Sequence, residues 1–212
     1  MAFRCCLAAG LVCLVFISPA GGQARAANPL EARAETFVAS LADKAVQALT
    51  VEGASRTERV HRFRRLFEGH FAVQGIAKWI LGRYWRRASD KERAEYLVLF
   101  EDMIVVSYVD RFAGYTGEAL AITKAVALDD DNAMVFSEIV RPTGGPPVRV
   151  DWRVATEDGI LRVVDVVVEG TSMSTTLRSD FGSIIRREGG KVAGLIKVLR
   201  EKTKSLRQDL AK

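Results

Sequence analysis

A chain of 212 residues, 49% of them hydrophobic, is long enough for one domain with a proper buried core. Its 31 Lys and Arg stand against 26 Asp and Glu, a net charge of +5, which is mildly basic and excludes the dense positive footprint of a nucleic-acid binder. The three cysteines, Cys5, Cys6 and Cys13, all sit at the N-terminal end, so the rest of the chain can form no disulfide, thiolate nucleophile or Cys-ligated metal site.

Residues 1–26 have the anatomy of a secretory signal peptide. Arg4 supplies the positive start, Leu7 to Ile17 an apolar stretch too short to span a bilayer, and Ala24-Arg25-Ala26 a small-x-small cleavage motif. An uncleaved anchor is the plain alternative. A lipoprotein signal at Cys13 fits poorly, because Val12 precedes the cysteine. Cleavage before Ala27 removes Arg4 and Arg25 and leaves 29 basic against 26 acidic residues over 27–212, or +3. A cysteine-free exported domain over 27–212 suits the periplasm of a Gram-negative cell.

The first half of that domain reads as helices. Thr36 to Leu49 carries Phe37, Leu41, Ala45 and Ala48 on one stripe. Ser55-Arg56-Thr57-Glu58 has capping-box spacing, followed by Val60, Phe63 and Phe67 at helical intervals. Val73 to Leu81 is a short apolar segment closed by Gly82. A second capping box, Ser89 to Glu92, opens what the pattern makes the longest helix, reaching Ala113. Its apolar face holds Leu97, Phe100, Ile104 and Tyr108, with Asp102 elsewhere.

From Leu120 the period changes to two. Leu120 to Leu128 sets Leu120, Ile122, Val126 and Leu128 against an alanine face of Ala119, Ala121, Ala125 and Ala127. Strands follow over Ala133 to Arg141, Val148 to Thr156 and Ile160 to Val168, with a tight turn at Asp158-Gly159. These short links predict a four-stranded antiparallel meander. The last strand alternates Val164, Val166 and Val168 with Leu161, Val163 and Val167, so both faces expect cover. The N-terminal helices are expected on one side of the sheet and two C-terminal helical patterns, Leu177 to Ile185 and Val192 to Leu199, on the other. Ser172, Ser174 and Thr175 are placed to cap the first of these.

Catalytic signatures are missing. There is no HExxH, GxSxG, P-loop or strand-linked GxGxxG, and neither His61 nor His70 lies near a nucleophile motif. No catalytic, metal or cofactor residue is assigned. Asp165, alone in an apolar strand, has two readings: an ion-pair member with Arg153, Arg162 or Arg178, or a general base of the kind used by cone-shaped α+β isomerases. The clusters Arg59, Arg62, Arg64, Arg65 and Arg83, Arg86, Arg87 are either solvated helix faces or a surface that meets an anionic membrane or acidic partner.

Several stretches carry a resemblance. Val164-Asp165-Val166, Val168-Glu169-Gly170-Thr171-Ser172 and Leu177-Arg178-Ser179-Asp180-Phe181 resemble the MlaC family, also called toluene-tolerance auxiliary proteins. Leu81-Gly82-Arg83-Tyr84-Trp85-Arg86, with Ala88-Ser89, Phe100 and Tyr108 to Tyr115 beyond it, is similar to the same family. The likeness runs from about Phe37 to Leu199, with Leu177 where the family usually has Tyr.

The resemblance implies a periplasmic carrier that moves phospholipid between an inner-membrane ABC transporter bearing MCE domains and an outer-membrane lipoprotein complex, and so maintains outer-membrane asymmetry. It implies an α+β fold with a lipid cavity between a twisted antiparallel sheet and its helices. Relatives associated with hopanoids make a triterpenoid an alternative cargo. The residues then expected to meet acyl chains are Trp79 and Ile80, Leu97, Phe100, Ile104 and Tyr108 of the long helix, and Val150, Trp152, Val154 and Val166 of the sheet.

Overall fold

The computed structural model describes residues 28–112 and 115–208; the leader expected over 1–26 and the helix end expected at Ala113 lie outside them. The helices are α1 (Pro29–Leu49), α2 (Arg56–His70), α3 (Val73–Leu81), α4 (Asp90–Tyr108), α5 (Met173–Arg187) and α6 (Val192–Gln208). The strands are β1 (Ala119–Ala127), β2 (Asn132–Val140), β3 (Val148–Glu157), β4 (Ile160–Val168) and β5 (Thr171–Ser172). A 3-10 turn over Gly82–Arg87 joins α3 to α4, and another over Val109–Phe112 follows α4.

Capping explains where the helices begin. The Asn28 side chain accepts the Leu30 N–H and Pro29 fills the first turn, so α1 starts well before Thr36. At 21 residues it outruns the 19 of α4, which corrects the expectation that the long helix after Ser89 is the longest. The Ser89–Glu92 capping box is complete in both directions. At Ser55 only half of the box forms: Ser55 Oγ accepts the Glu58 N–H, while the Glu58 carboxylate turns to Arg62.

The sheet is an antiparallel meander in the order β1-β2-β3-β4-β5. It has five strands where the sequence pattern suggested four. Glu169 and Gly170 both take positive φ, 48° and 77°, which makes a tight two-residue turn. The chain folds back so that Thr171 and Ser172 pair with Val168 and Val167 before α5 begins.

Two bulges rearrange the faces. Register shifts between Ile122 and Lys124, and opposite Arg153/Val154 where Val164 is the extra residue, each reverse the alternation beyond them. Leu120 and Ile122 therefore share a face with Ala125 and Ala127, and the pure alanine face does not exist. In β4, Val163 pairs with Val154 and Val166 with Trp152, so Val163 and Val166 point the same way although the sequence pattern separates them.

The buried apolar residues form two clusters. One joins α1, through Leu30, Ala34, Val38 and Leu41, to Ala133, Val135, Val154, Leu161 and Val163 of the sheet. The other is helical and joins Ala77, Ile80, Leu81, Tyr96, Phe100 and Met103 to Phe181, Ile185, Leu195, Ile196 and Leu199. The C-terminal helices thus do not cover the second sheet face. α6 lies along α4, running parallel to it: Arg200 pairs with Glu95 and Arg207 with Asp102, two turns further on in both helices. Asp102, expected away from the core, is buried between Arg64 and Arg207. The second sheet face is covered by its own long side chains, with Lys124 4.9 Å and Arg149 6.0 Å from the Phe136 ring centroid.

Candidate functional site

The helical cluster meets the sheet along the outer edge of β4, and two anchors hold it there. Phe71 bridges Val163, and the Ala72 N–H donates to the Val163 carbonyl at 3.0 Å, which places the start of α3 on that edge. The β5 turn places the start of α5 on the same edge near Val167 and Val168. A strand edge that would otherwise expose unpaired N–H and C=O groups is covered in this way.

Asp165 is the centre of the second anchor. Its Oδ1 accepts the N–H groups of Ser174 and Val166, both at 3.0 Å, and its Oδ2 accepts the Ser172 hydroxyl at 2.6 Å. Ser172 Oγ in turn accepts the Thr175 N–H at 3.1 Å. The carboxylate and the run of hydroxyls therefore satisfy the free amides of a helix start, where negative charge is also favoured by the helix dipole. This corrects the expected ion pair. Arg162 donates instead to the Glu68 and Gly69 carbonyls, Arg178 to the Trp79 carbonyl, and Arg153 is exposed. Both Asp165 oxygens are thus occupied by donors of the β4 edge and the α5 start.

The expected lipid-contact residues divide between the two clusters. Ile80 and Phe100 are fully buried in the helical one, and Leu97 and Ile104 lie half-buried at its border. Val154 and Val150 are buried in the sheet. Trp152 and Val166 are a half-buried cross-strand pair, with the Trp152 indole N–H donating to Ser137 Oγ at 3.1 Å. Tyr108 is half-buried at the end of α4. Trp79 points away, 48% exposed. The structure thus does not press the Phe100 stripe of α4 onto the Trp152 face of β3.

Each cluster carries large apolar side chains that it does not fully bury. Val73, Ile76, Leu97, Ile104 and Leu177 pack against the helical one, and Phe37, Phe71, Trp152 and Val166 against the sheet one. Val73, Ile76, Phe71 and Leu177 were not among the expected contacts. Val73 and Ile76 repeat at helical spacing with Ile80, which was a usable signal; Leu177 and Phe71 are brought in by the two anchors, which no local pattern announces. These half-buried side chains are all apolar. Among the described residues no group of three or more His, Cys, Asp or Glu could hold a metal ion. The Tyr96 phenol, fully buried in the helical cluster, donates to the Ala77 carbonyl at 2.9 Å, and burial pushes its pKa up, which keeps it neutral.

The two stretches Leu81 to Arg86 and Leu177 to Phe181, far apart in sequence, meet at one point. The Arg178 guanidinium lies over the Trp79 ring at 4.6 Å and donates to the Trp79 carbonyl. It fits because Gly82 has no side chain: a Cβ there would stand 2.8 Å from Arg178 Nη2, and the residue holds φ of +56°.

The family profile described as MlaC protein matches residues 39–201, which include both anchors and this contact. The chain belongs to the MlaC family. A solved structure of similar fold is the phospholipid-binding protein from Ralstonia solanacearum in complex with a phospholipid, with a TM-score of 0.73 and 21% identity over 82% of this chain and 98% of that one. At that identity the likeness establishes the shared α+β fold of this MlaC protein. Among the described residues no helix is long and apolar enough to cross a membrane.

Proposed function

We propose that the protein binds one phospholipid with its acyl chains in the seam between the helical cluster and the sheet. The observation that supports this is the set of half-buried Ile, Leu, Val, Phe and Trp side chains packed against two separate cores. An apolar border of this kind is stabilised by about 25 cal/mol for each Å² that a ligand removes from water. Membership of the MlaC family and the phospholipid in the Ralstonia solanacearum relative support the choice of ligand.

In this reading residues 1–26 direct export, and the domain over 27–212 works in the periplasm. It carries phospholipid between an inner-membrane MCE-domain ABC transporter complex and an outer-membrane lipoprotein complex, and so maintains outer-membrane lipid asymmetry. The protein acts by binding and release, without a catalytic step. The test is extraction and mass spectrometry of lipid that co-purifies with the protein from periplasm. A stoichiometric glycerophospholipid is the expected result. A triterpenoid in its place would assign a hopanoid cargo, and lipid-free protein would remove the proposal.

A further inference from the structure

The arginines of α2 and those of the α3–α5 region differ in their partners. On α2 most are engaged internally: Arg56 pairs with Asp110, Arg62 with Glu58, and Arg64 with Glu101 and Asp102, while Arg59 donates to the Ala54 carbonyl and Arg65 is exposed without an ion pair among the described residues. On α3, the Gly82–Arg87 turn and α5 the pattern is the opposite. Lys78, Arg83, Arg86, Arg87, Arg178 and Arg186 form no ion pair with a carboxylate among the described residues. Four of them lie on aromatic rings instead. Arg178 lies 4.6 Å from the Trp79 centroid, Arg83 5.0 Å and Arg87 6.0 Å from that of Tyr84, and Lys78 6.0 Å from that of Trp85. Trp79, under Arg178, is 48% exposed.

We propose that this α3–α5 face docks directly on an anionic phospholipid surface, with Trp79 at headgroup depth and the surrounding guanidinium groups on lipid phosphates. Unpaired guanidinium groups match phosphate geometry, and each Lys or Arg near an anionic membrane adds to the attraction. An exposed indole with a cation on its ring is suited to the interface, where one end is apolar and the other wet. That feature favours a lipid surface over an acidic protein, for which charge alone would serve. The same two helices carry Val73, Ile76 and Leu177 of the seam, so docking brings the seam to the membrane. The proposal adds a membrane contact to the carrier reading, and its test does not depend on bound cargo.

The experiment is vesicle flotation of the full mature chain with phosphatidylcholine vesicles, with and without phosphatidylglycerol, over a salt series. Binding should require phosphatidylglycerol and weaken as salt rises. Arg86→Gln with Arg87→Gln, two exposed positions whose loss leaves the fold intact by circular dichroism, should weaken it by about tenfold or more. Arg65→Gln, on exposed α2 surface, should change it less than about twofold, and Trp79→Ala should reduce the binding that survives at high salt. Three results overturn the proposal: no flotation with anionic vesicles, equal flotation with neutral ones, or protein that gains lipid from vesicles while staying in the soluble fraction. The last would mean that the vesicles supplied cargo only.

Discussion

The helical core and the sheet core of this MlaC protein are built differently. Among the described residues the helical core draws fourteen buried residues from two distant parts of the chain, with Tyr96, Phe100 and Phe181 in ring contact. The sheet core has nine among the described residues, several of them small, under helix α1. The first is a filled interior in which each side chain is held on all sides. The second is a one-helix layer whose larger members, Trp152, Phe37 and Phe71, keep partial access to solvent. The difference teaches that apolar content alone does not locate a ligand. In the carrier reading proposed above, the ligand lies against the half-buried residues of both cores.

The largest expected effect tests whether the helical core is filled. Phe100, 1% exposed, should cost about 3–5 kcal/mol on change to Ala, measured by urea unfolding. A loss below about 1 kcal/mol would mean that this core is loosely packed and that lipid could occupy it as well. Next in size is Asp165→Ala, which strips the donors of Ser172, Ser174 and Val166 of their acceptor and loosens α5 from β4. A loss of about 2–3 kcal/mol is expected, with Asp165→Asn milder because Oδ1 remains. Equal losses for the two variants would show that charge, not the acceptor geometry, holds the anchor.

Ile104→Trp separates border from core. At a half-buried border the larger ring should displace lipid while lowering stability by less than the usual overpacking cost of about 1–3 kcal/mol. Native mass spectrometry and a thermal melt read the two quantities together. An unfolded variant, or one that keeps its full lipid stoichiometry, would place Ile104 in ordinary core. The smallest effect is a pH dependence at the far side of the helical core. The Ser89 amide, with the Ser89 hydroxyl, holds the Glu92 carboxyl below the usual range. A depressed folded pKa contributes stability above the ordinary Glu value of about 4.3 and loses it as pH falls through the depressed value. Wild type should therefore lose slightly more stability than Glu92→Gln on going from neutral pH to pH below about 4. Identical pH profiles would show that the capping box contributes no charge-dependent stability.

Much of the fold was legible because it is local. The Ser89–Glu92 box, the Gly82 stop, the Asp158-Gly159 turn and the meander each declare themselves within a few residues. The Asn28-Pro29 start of α1 was equally local and was passed over. What could not be read depends on partners far along the chain. The bulges at Thr123 and Val164 decide which valines and alanines share a face, yet either strand alone keeps an unbroken alternation. The C-terminal helices have an apolar stripe that fits a sheet or a helix equally well. The choice of α4 is made by Glu95 and Asp102 meeting Arg200 and Arg207. Of the ten expected contacts, Leu97, Ile104, Trp152 and Val166 are half-buried while Phe100, Ile80 and Val154 are buried, because helical and strand periodicity names a face but not how completely it is covered.

The central claim, that lipid lies between the two cores, is tested most directly by photocrosslinking. The protein is loaded with a phospholipid carrying a diazirine in one acyl chain, irradiated, and the adducts are mapped by peptide mass spectrometry. The account predicts adducts on the seam, at Ile76, Ile104, Leu177, Trp152 or Val166. Adducts confined to α6 or to the Phe136 face of the sheet, with none on these five residues, would contradict it.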